Sequence, residues 1–554
     1  MHLLVFVAQA IAVVDCSGTA DAVRARFVLG TQERDVSELH LPNRIRHSAS
    51  ARPLHPAITC GDRTLTCADL DAETNALASA LTEVSAAGAR VGALLRMGLE
   101  GAETFIACAK AGAVFIPLNW RLNPRELVDV AVDAELDVLI VDDEFAVGAA
   151  AILAALPEVA VVAVGSEGAL NDSRTWADFV ASGTGIDPGL GHDPDTSVLQ
   201  LYTSGTTGRP KGVVATHRNL YNEPEGFEVY EFGSNAVALD ALPLFHIAGA
   251  GWMSTCLSAG VHLVLLGDMT PARVVEAIAT QHVTHAFLVP AVIQTLVDLP
   301  TLESFDLSSL QVVAYGASPI TPSLLAHAMN VLNCKFVQRY GMTETTGSVS
   351  VLRAYDHHVS GPRSGLLRSA GKPMIGVEIS IRDVMTGEEL PPNESGEIVA
   401  RSRNNTCGYW RRERETAELF THDGFLRTGD AGHLDDEGYL FVTDRLKDMI
   451  ITGGENVYPI EVESILAEHP SVAEVAVVGV PDRRWGEAVT AVITLVDGAD
   501  VPSADELIAF SAARLASYKK PRHIHFVDSL PRNASGKLLK SSLRTMLSAS
   551  GEAS

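Results

Sequence analysis

No two cysteines in the chain are spaced C-x-x-C. The seven present, Cys16, Cys60, Cys67, Cys108, Cys256, Cys334 and Cys407, are odd in number and scattered, which argues against both a disulfide framework and a zinc site. A reducing, cytoplasmic setting is expected. Basic residues are also short: 42 Lys and Arg stand against 68 Asp and Glu, for a formal net charge of −26. Nucleic acid is excluded as a partner, because neutralising its phosphates requires clustered cations. No apolar run reaches the ~18 residues of a membrane-spanning helix, although peripheral membrane contact stays compatible. The nearest approach, LLVFVAQAIAVV from Leu3 to Val14, has the length of a signal-peptide core, yet no Lys or Arg precedes it and VVDCSG is a poor cleavage site. Residues 1–40 are read as an N-terminal extension without an assigned role. There is no G-x-S-x-G elbow at YGASP, which disfavours a serine hydrolase.

What is present is size and alternation. A chain of 554 residues exceeds what one hydrophobic core usually organises, so at least two domains are expected. From about Leu41, short β-branched runs such as LDVLIVDD (136–143), HLVLL (262–266), THAFLVP (284–290) and LQVVAYG (310–316) alternate with helix-like stretches such as Ala272 to Gln281. Strand alternating with helix predicts α/β layers on largely parallel sheets, with ligands bound where strands end in loops. After residue 447 the texture changes to a compact α+β unit of ~100 residues. The expected organisation is therefore a large multi-sheet α/β domain over 41–443, a hinge at 444–447 and a smaller, mobile α+β domain over 448–554.

One loop is unmistakably built for phosphate. LYTSGTTGRPKGVV, Leu201 to Val214, combines glycines that turn backbone N–H groups toward an anion, hydroxyls that donate and a lysine that adds charge. It is not a Walker A loop, since Lys211 is followed by Gly212 rather than Ser or Thr. Four further segments accompany it: LPLFHIAG (242–249), YGMTETTG (340–347), RTGDAGHLDDEGYLFVTDRLKDMIITGGENVYPIEVE (427–463) and LPRNASGK (530–537). In this order and spacing the five resemble the motifs of the adenylate-forming superfamily, and among its members bacterial fatty-acid and acyl-CoA ligases most. The resemblance runs from about Leu41 to Leu547.

That resemblance implies ATP, Mg²⁺ and coenzyme A as cofactors and a two-step reaction: a carboxylate attacks the α-phosphate of ATP, and the acyl group of the resulting adenylate passes to a thiol. Thr203, Ser204, Gly205, Thr206, Thr207 and Lys211 would hold the β- and γ-phosphates, which is positional and electrostatic catalysis. Glu344, with Thr203, would hold Mg²⁺. Tyr340 would stack on adenine, with Gly341, Met342 and Thr343 beside it and Gly316, Ala317 and Ser318 giving the base room. Asp430 would accept from the ribose hydroxyls and Arg445 would reach ribose or phosphate. Lys537 would bridge the substrate carboxylate and the α-phosphate, and Lys447 would be the hinge residue. Gly453 and Gly454 of ITGGENVYP would line the pantetheine path.

His246 stands where family members that activate amino acids place an aspartate for the α-ammonium. A buried ammonium without a carboxylate would cost several kcal/mol, so amino acids are poor candidates. The small residues after it, followed by Trp252 and Met253, suggest a hydrophobic channel without fixed charge, and thus a medium- or long-chain fatty or other lipid-like acid. Coenzyme A is the leading acceptor, with His246 gating its path. A separate carrier protein as acceptor, and a catalytically idle nucleotide-binding interaction protein, are the alternatives; a homodimer is compatible with all of them.

Overall fold

The computed structural model describes residues 40–165, 173–190, 193–203, 210–220, 227–452, 455–482, 484–496, 498, 500–532 and 538–549. The extension before His40, the phosphate-loop residues Ser204, Gly205, Thr206 and Thr207, the pair Gly453 and Gly454, and Lys537 lie outside them. The same holds for the side chains of Arg445 and Lys447.

Two large sheets dominate. The first has nine strands, and its interior is parallel: Pro56–Cys60, His262–Leu265, Val237–Asp240, His285–Leu288, Val312–Gly316 and Lys335–Met342 lie side by side. Antiparallel strands close both edges, among them Gly347–Leu352 beside Lys335–Met342. The second has eight strands, with Arg90–Leu94, Val114–Pro117 and Val138–Asp142 parallel at its centre. Their near-continuous apolar runs fit strands covered on both faces. Between the two sheets the helices Cys67–Val84, Leu99–Ala111 and Ile247–Ser258 pack into one apolar cluster. A second cluster lies under the helices Pro271–Gln281, Pro290–Val297 and Pro322–Leu332, each of which starts on a proline whose fixed φ suits the first helical turn. Helix 67–84 is opened by a capping box between Thr66 and Asp69, which satisfies two otherwise unpaired N–H groups.

Residues 377–445 depart from the parallel pattern expected of this region. They form a separate antiparallel sheet of four strands, Val377–Arg382, Gly396–Ser402, Leu426–Leu434 and Leu440–Arg445. Sheet membership then changes abruptly. Arg445 still pairs with Asp430, a 3-10 turn spans Leu446–Asp448, and Ile450–Thr452 already belongs to the C-terminal sheet with Gly486–Leu495 and Val472–Asp482. His523–Phe526 adds to that sheet in parallel. No helix among the described residues is long and apolar enough to cross a membrane.

Candidate active site

The phosphate loop leaves the second sheet at the end of a hairpin. Strand Ser197–Thr203 runs antiparallel to Lys211–Thr216, with Thr203 opposite Lys211. The hairpin is held from behind. The Tyr202 hydroxyl donates to Asp133 at 2.8 Å and accepts from the Gln200 amide at 3.0 Å. Arg90 in turn hydrogen-bonds Gln200 and places its guanidinium 3.8 Å from the Trp410 ring centroid.

Its other neighbour brings in a residue that no motif flagged. The short strand Gly408–Tyr409 pairs with Val213 and Val214, and the Thr406 hydroxyl pins it to the Val214 carbonyl. Tyr409 thereby reaches both charged groups of the site: its hydroxyl donates to Glu344 Oε1 at 2.9 Å, and Lys211 Nζ lies 5.0 Å from its ring centroid. Burial, followed by the adjacent Glu344 charge, raises the Tyr409 phenol well above its ordinary range, so it stays a donor at neutral pH. Glu344 itself is only 7% exposed. It sits in the tight turn between Lys335–Met342 and Gly347–Leu352, which Thr345 closes by accepting from Met342 N–H and donating to the Gly347 carbonyl at 2.6 Å. The amide of Thr346 bonds the Thr343 carbonyl in the same turn. Oε1 is engaged by Tyr409, so a cation bound at Glu344 would meet the carboxylate at its second oxygen. Among the described residues there is no cluster of three His, Cys, Asp or Glu side chains; Mg²⁺ held by one carboxylate with phosphate and water oxygens requires none.

The nucleotide side is equally local. Tyr340 donates to Asp430 Oδ2 at 2.7 Å, and Asp430 shares its antiparallel rung with Arg445. Gly316 ends its strand where a Cβ would lie 2.3 Å from the Arg339 carbonyl oxygen, and at Gly341 a Cβ would lie 1.9 Å from the Gly347 carbonyl. Neither position can accept a side chain without moving backbone. Ala317 follows at φ 65°, a left-handed conformation that costs a non-glycine residue about 1 kcal/mol or more, and Ser318 after it is exposed.

A cavity of about 140 Å³ opens beside these elements, with Tyr230, Ile247, Trp252 and Phe287 in its apolar wall and Ala317, Gly341 and Gly347 toward the nucleotide residues. His246 is an exposed residue that caps helix Ile247–Ser258 through its backbone carbonyl, and it is not among the described residues that line the cavity. One expectation needs correction here: the cavity is not free of fixed charge, because Arg339, Arg353 and Arg403 line it. Arg339 immediately precedes Tyr340, and period-2 alternation places it on the opposite face of the strand from that tyrosine; the sequence contained that signal. Tyr409 had none, because its partners are 65 and 198 positions away in the chain.

The AMP-binding enzyme family model matches residues 45–410, and that of the AMP-binding enzyme C-terminal domain matches residues 461–537. The chain belongs to the AMP-binding enzymes. Its relatives in this family include a fatty acid–[acyl-carrier-protein] ligase, ScoC, of Streptomyces coeruleorubidus, 39% identical over 90% of this chain and 94% of the relative. A feruloyl-CoA synthase of an Amycolatopsis species is likewise 39% identical, over 90% and 96%. Among solved structures, ATP-bound MatB from Rhodopseudomonas palustris superposes with a TM-score of 0.83 at 31% identity, covering 92% of this chain and 98% of that one. The AMP-binding enzyme described here is an acid–thiol ligase, working through an acyl-adenylate toward coenzyme A or a carrier protein, with the mixed α/β fold of the family.

Proposed function

We propose that the protein is an AMP-forming acyl-CoA ligase for a hydrophobic carboxylic acid at the medium-sized end of the range that the sequence suggests. The observation that carries this reading is the adjacency of two parts: a charged cluster of Lys211, Tyr409 and Glu344, and an aromatic-walled cavity bounded by Gly341 and Gly347. A cavity of about 140 Å³ is close to the ~150 Å³ that takes up a benzene ring, so a ring or a short acyl chain fits it better than an extended lipid tail.

Thr203, Lys211 and the loop between them hold the polyphosphate, and Glu344, oriented by Tyr409, holds Mg²⁺ with Thr203. When bound, the cation neutralises phosphate charge. Tyr340 with Gly316, Ala317 and Ser318 contains the base, while Asp430 and Arg445 hold the ribose. Lys537 bridges the two anions that meet in the first step, and the Gly453–Gly454 loop serves the thiol in the second. Both lie in the C-terminal domain, and one rigid body cannot present both to one cleft, so rotation at 444–447 between the two steps follows.

The test is pyrophosphate release across acids of graded length and ring content, with mass spectrometry of products with and without coenzyme A. Acid-dependent pyrophosphate together with an acyl-CoA product is the expected result; an acyl-adenylate that coenzyme A never discharges refutes the acceptor. A second acceptor, a carrier protein, is favoured by the name of the ScoC relative and would show as acyl transfer to a phosphopantetheinylated carrier alone.

A further inference from the structure

The cavity carries charge of one sign. Its described lining includes three arginines and neither aspartate nor glutamate, in a chain whose acidic residues outnumber its basic ones by 68 to 42. Arg403 has interactions of its own; the other two are less well matched. Arg339 Nε donates to Ser348 Oγ at 3.0 Å and Nη2 meets the Met374 sulfur at 3.2 Å, a weak acceptor. Nη1 is buried without an acceptor among the described residues, and the guanidinium carbon lies 5.3 Å from the Tyr230 ring centroid. Arg353 lies two residues beyond Val351, the register partner of Arg339, and Arg339, Val351 and Arg353 line the cavity together. No hydrogen bond or ion pair between described residues involves the Arg353 side chain.

Both arginines are partly exposed, so the cost falls on the one Arg339 donor shut off from water: a buried donor left unsatisfied costs ~1–3 kcal/mol, and an apolar occupant would leave that cost in place. Arginine is also the side chain whose fork matches a carboxylate with two parallel hydrogen bonds. We propose that the acid this enzyme activates carries a second oxyanion, besides the carboxylate that is adenylated, and that Arg339 and Arg353 hold it at the far end of a compact apolar body. This rests on the acyl-ligase reading above and narrows its substrate class to acids of the dicarboxylate type.

The experiment measures pyrophosphate release by the full chain on matched pairs: hexanoate against adipate, and 3-phenylpropanoate against 3-(4-carboxyphenyl)propanoate. The diacid of at least one pair should show a kcat/KM at least ~10-fold above its monoacid, mainly through KM. Arg339→Gln and, separately, Arg353→Gln should each lower the diacid-to-monoacid ratio by ~10-fold or more, the two variants guarding against one that fails to fold. A merely structural arginine would depress both acids alike, and an unchanged ratio overturns the proposal. So does a wild-type enzyme that prefers the monoacid of both pairs. Absence of pyrophosphate with every acid would instead overturn the acyl-ligase reading, and this proposal with it.

Discussion

Replacing Tyr409 by phenylalanine removes one oxygen and tests how the charged cluster works. The ring stays over Lys211 at 5.0 Å, while the 2.9 Å hydrogen bond to Glu344 Oε1 is lost. A hydrogen bond to a charged group is worth ~1.5–3 kcal/mol, and each 1.4 kcal/mol is a factor of ten in rate. If half to all of that stabilisation orients the carboxylate toward the cation, kcat/KM for ATP falls ~3- to 140-fold. The half-saturating Mg²⁺ concentration should rise with it. Tyr409→Leu also removes the cation–π contact, worth ~0.5–1 kcal/mol at a partly exposed site, and should cost a further ~2- to 5-fold. The assay is pyrophosphate release at fixed acid, titrating ATP at several Mg²⁺ concentrations. Superimposable Mg²⁺ titrations for wild type and Tyr409→Phe, with kcat/KM unchanged within twofold, would refute the idea that Tyr409 positions Glu344.

Four other outcomes are expected. Burial, reinforced by the neighbouring Glu73, pushes Glu103 up to about 9 from an ordinary 4.5. The folded protein then keeps a proton that the unfolded chain releases above about pH 4.5, so this stability is intact below that value and is lost as pH rises toward about 9. At ~1.4 kcal/mol per pH unit the loss reaches at most ~3.5 kcal/mol by pH 7; Glu103→Gln should therefore melt higher than wild type at pH 8 and nearly with it at pH 4.5, and parallel melting curves across that range would count against it. Gly341→Ala, which drives a methyl into the Gly347 carbonyl, should abolish ATP turnover or lower the melting temperature. Gly251→Ala, whose Cβ meets nothing nearer than an Ile247 side-chain carbon at 3.9 Å, should alter the KM of the acid and not that of ATP, as seen by pyrophosphate release over both titrations. Lys537→Ala should cut adenylation ~100-fold or more yet spare thioester formation from presynthesised acyl-adenylate; equal loss in both steps would make the lysine structural.

Local chemistry was legible in the sequence wherever a segment acts through its own neighbours. The runs read as strands at 136–143, 262–266, 284–290 and 310–316 all form strands, at Val138–Asp142, His262–Leu265, His285–Leu288 and Val312–Gly316, because a β-branched run between turn residues has few other ways to bury itself. The antiparallel sheet of 377–445 was not legible, since two of its three connections are long and its strands are marked by neither the spacing nor the periodicity of a repeating unit. Tyr409 was hidden for a related reason: its meaning comes from pairing with a strand almost 200 positions earlier. The charge on the cavity wall was visible as letters, at Arg339 and Arg353. What was missing was the antiparallel register that sets Arg339 beside Val351 and turns both arginines toward one space.

The jammed backbone at Gly316 and Gly341 has a practical meaning for anyone who wishes to change the acid this enzyme accepts. The cavity is rigid at Gly341, which lines it, and at Gly316, next to the lining residue Ala317, because there even a methyl group collides with carbonyl oxygens of the neighbouring strand or turn. The lining also includes Met374, Ile375 and Val377, and Ile375 is 58% exposed, so a larger side chain there can extend into solvent. A mutagenic library that includes Gly341 would spend that share of its diversity on chains that cannot close the turn at Glu344. Diversity concentrated at positions 374, 375 and 377 samples new shapes while the nucleotide grip stays fixed.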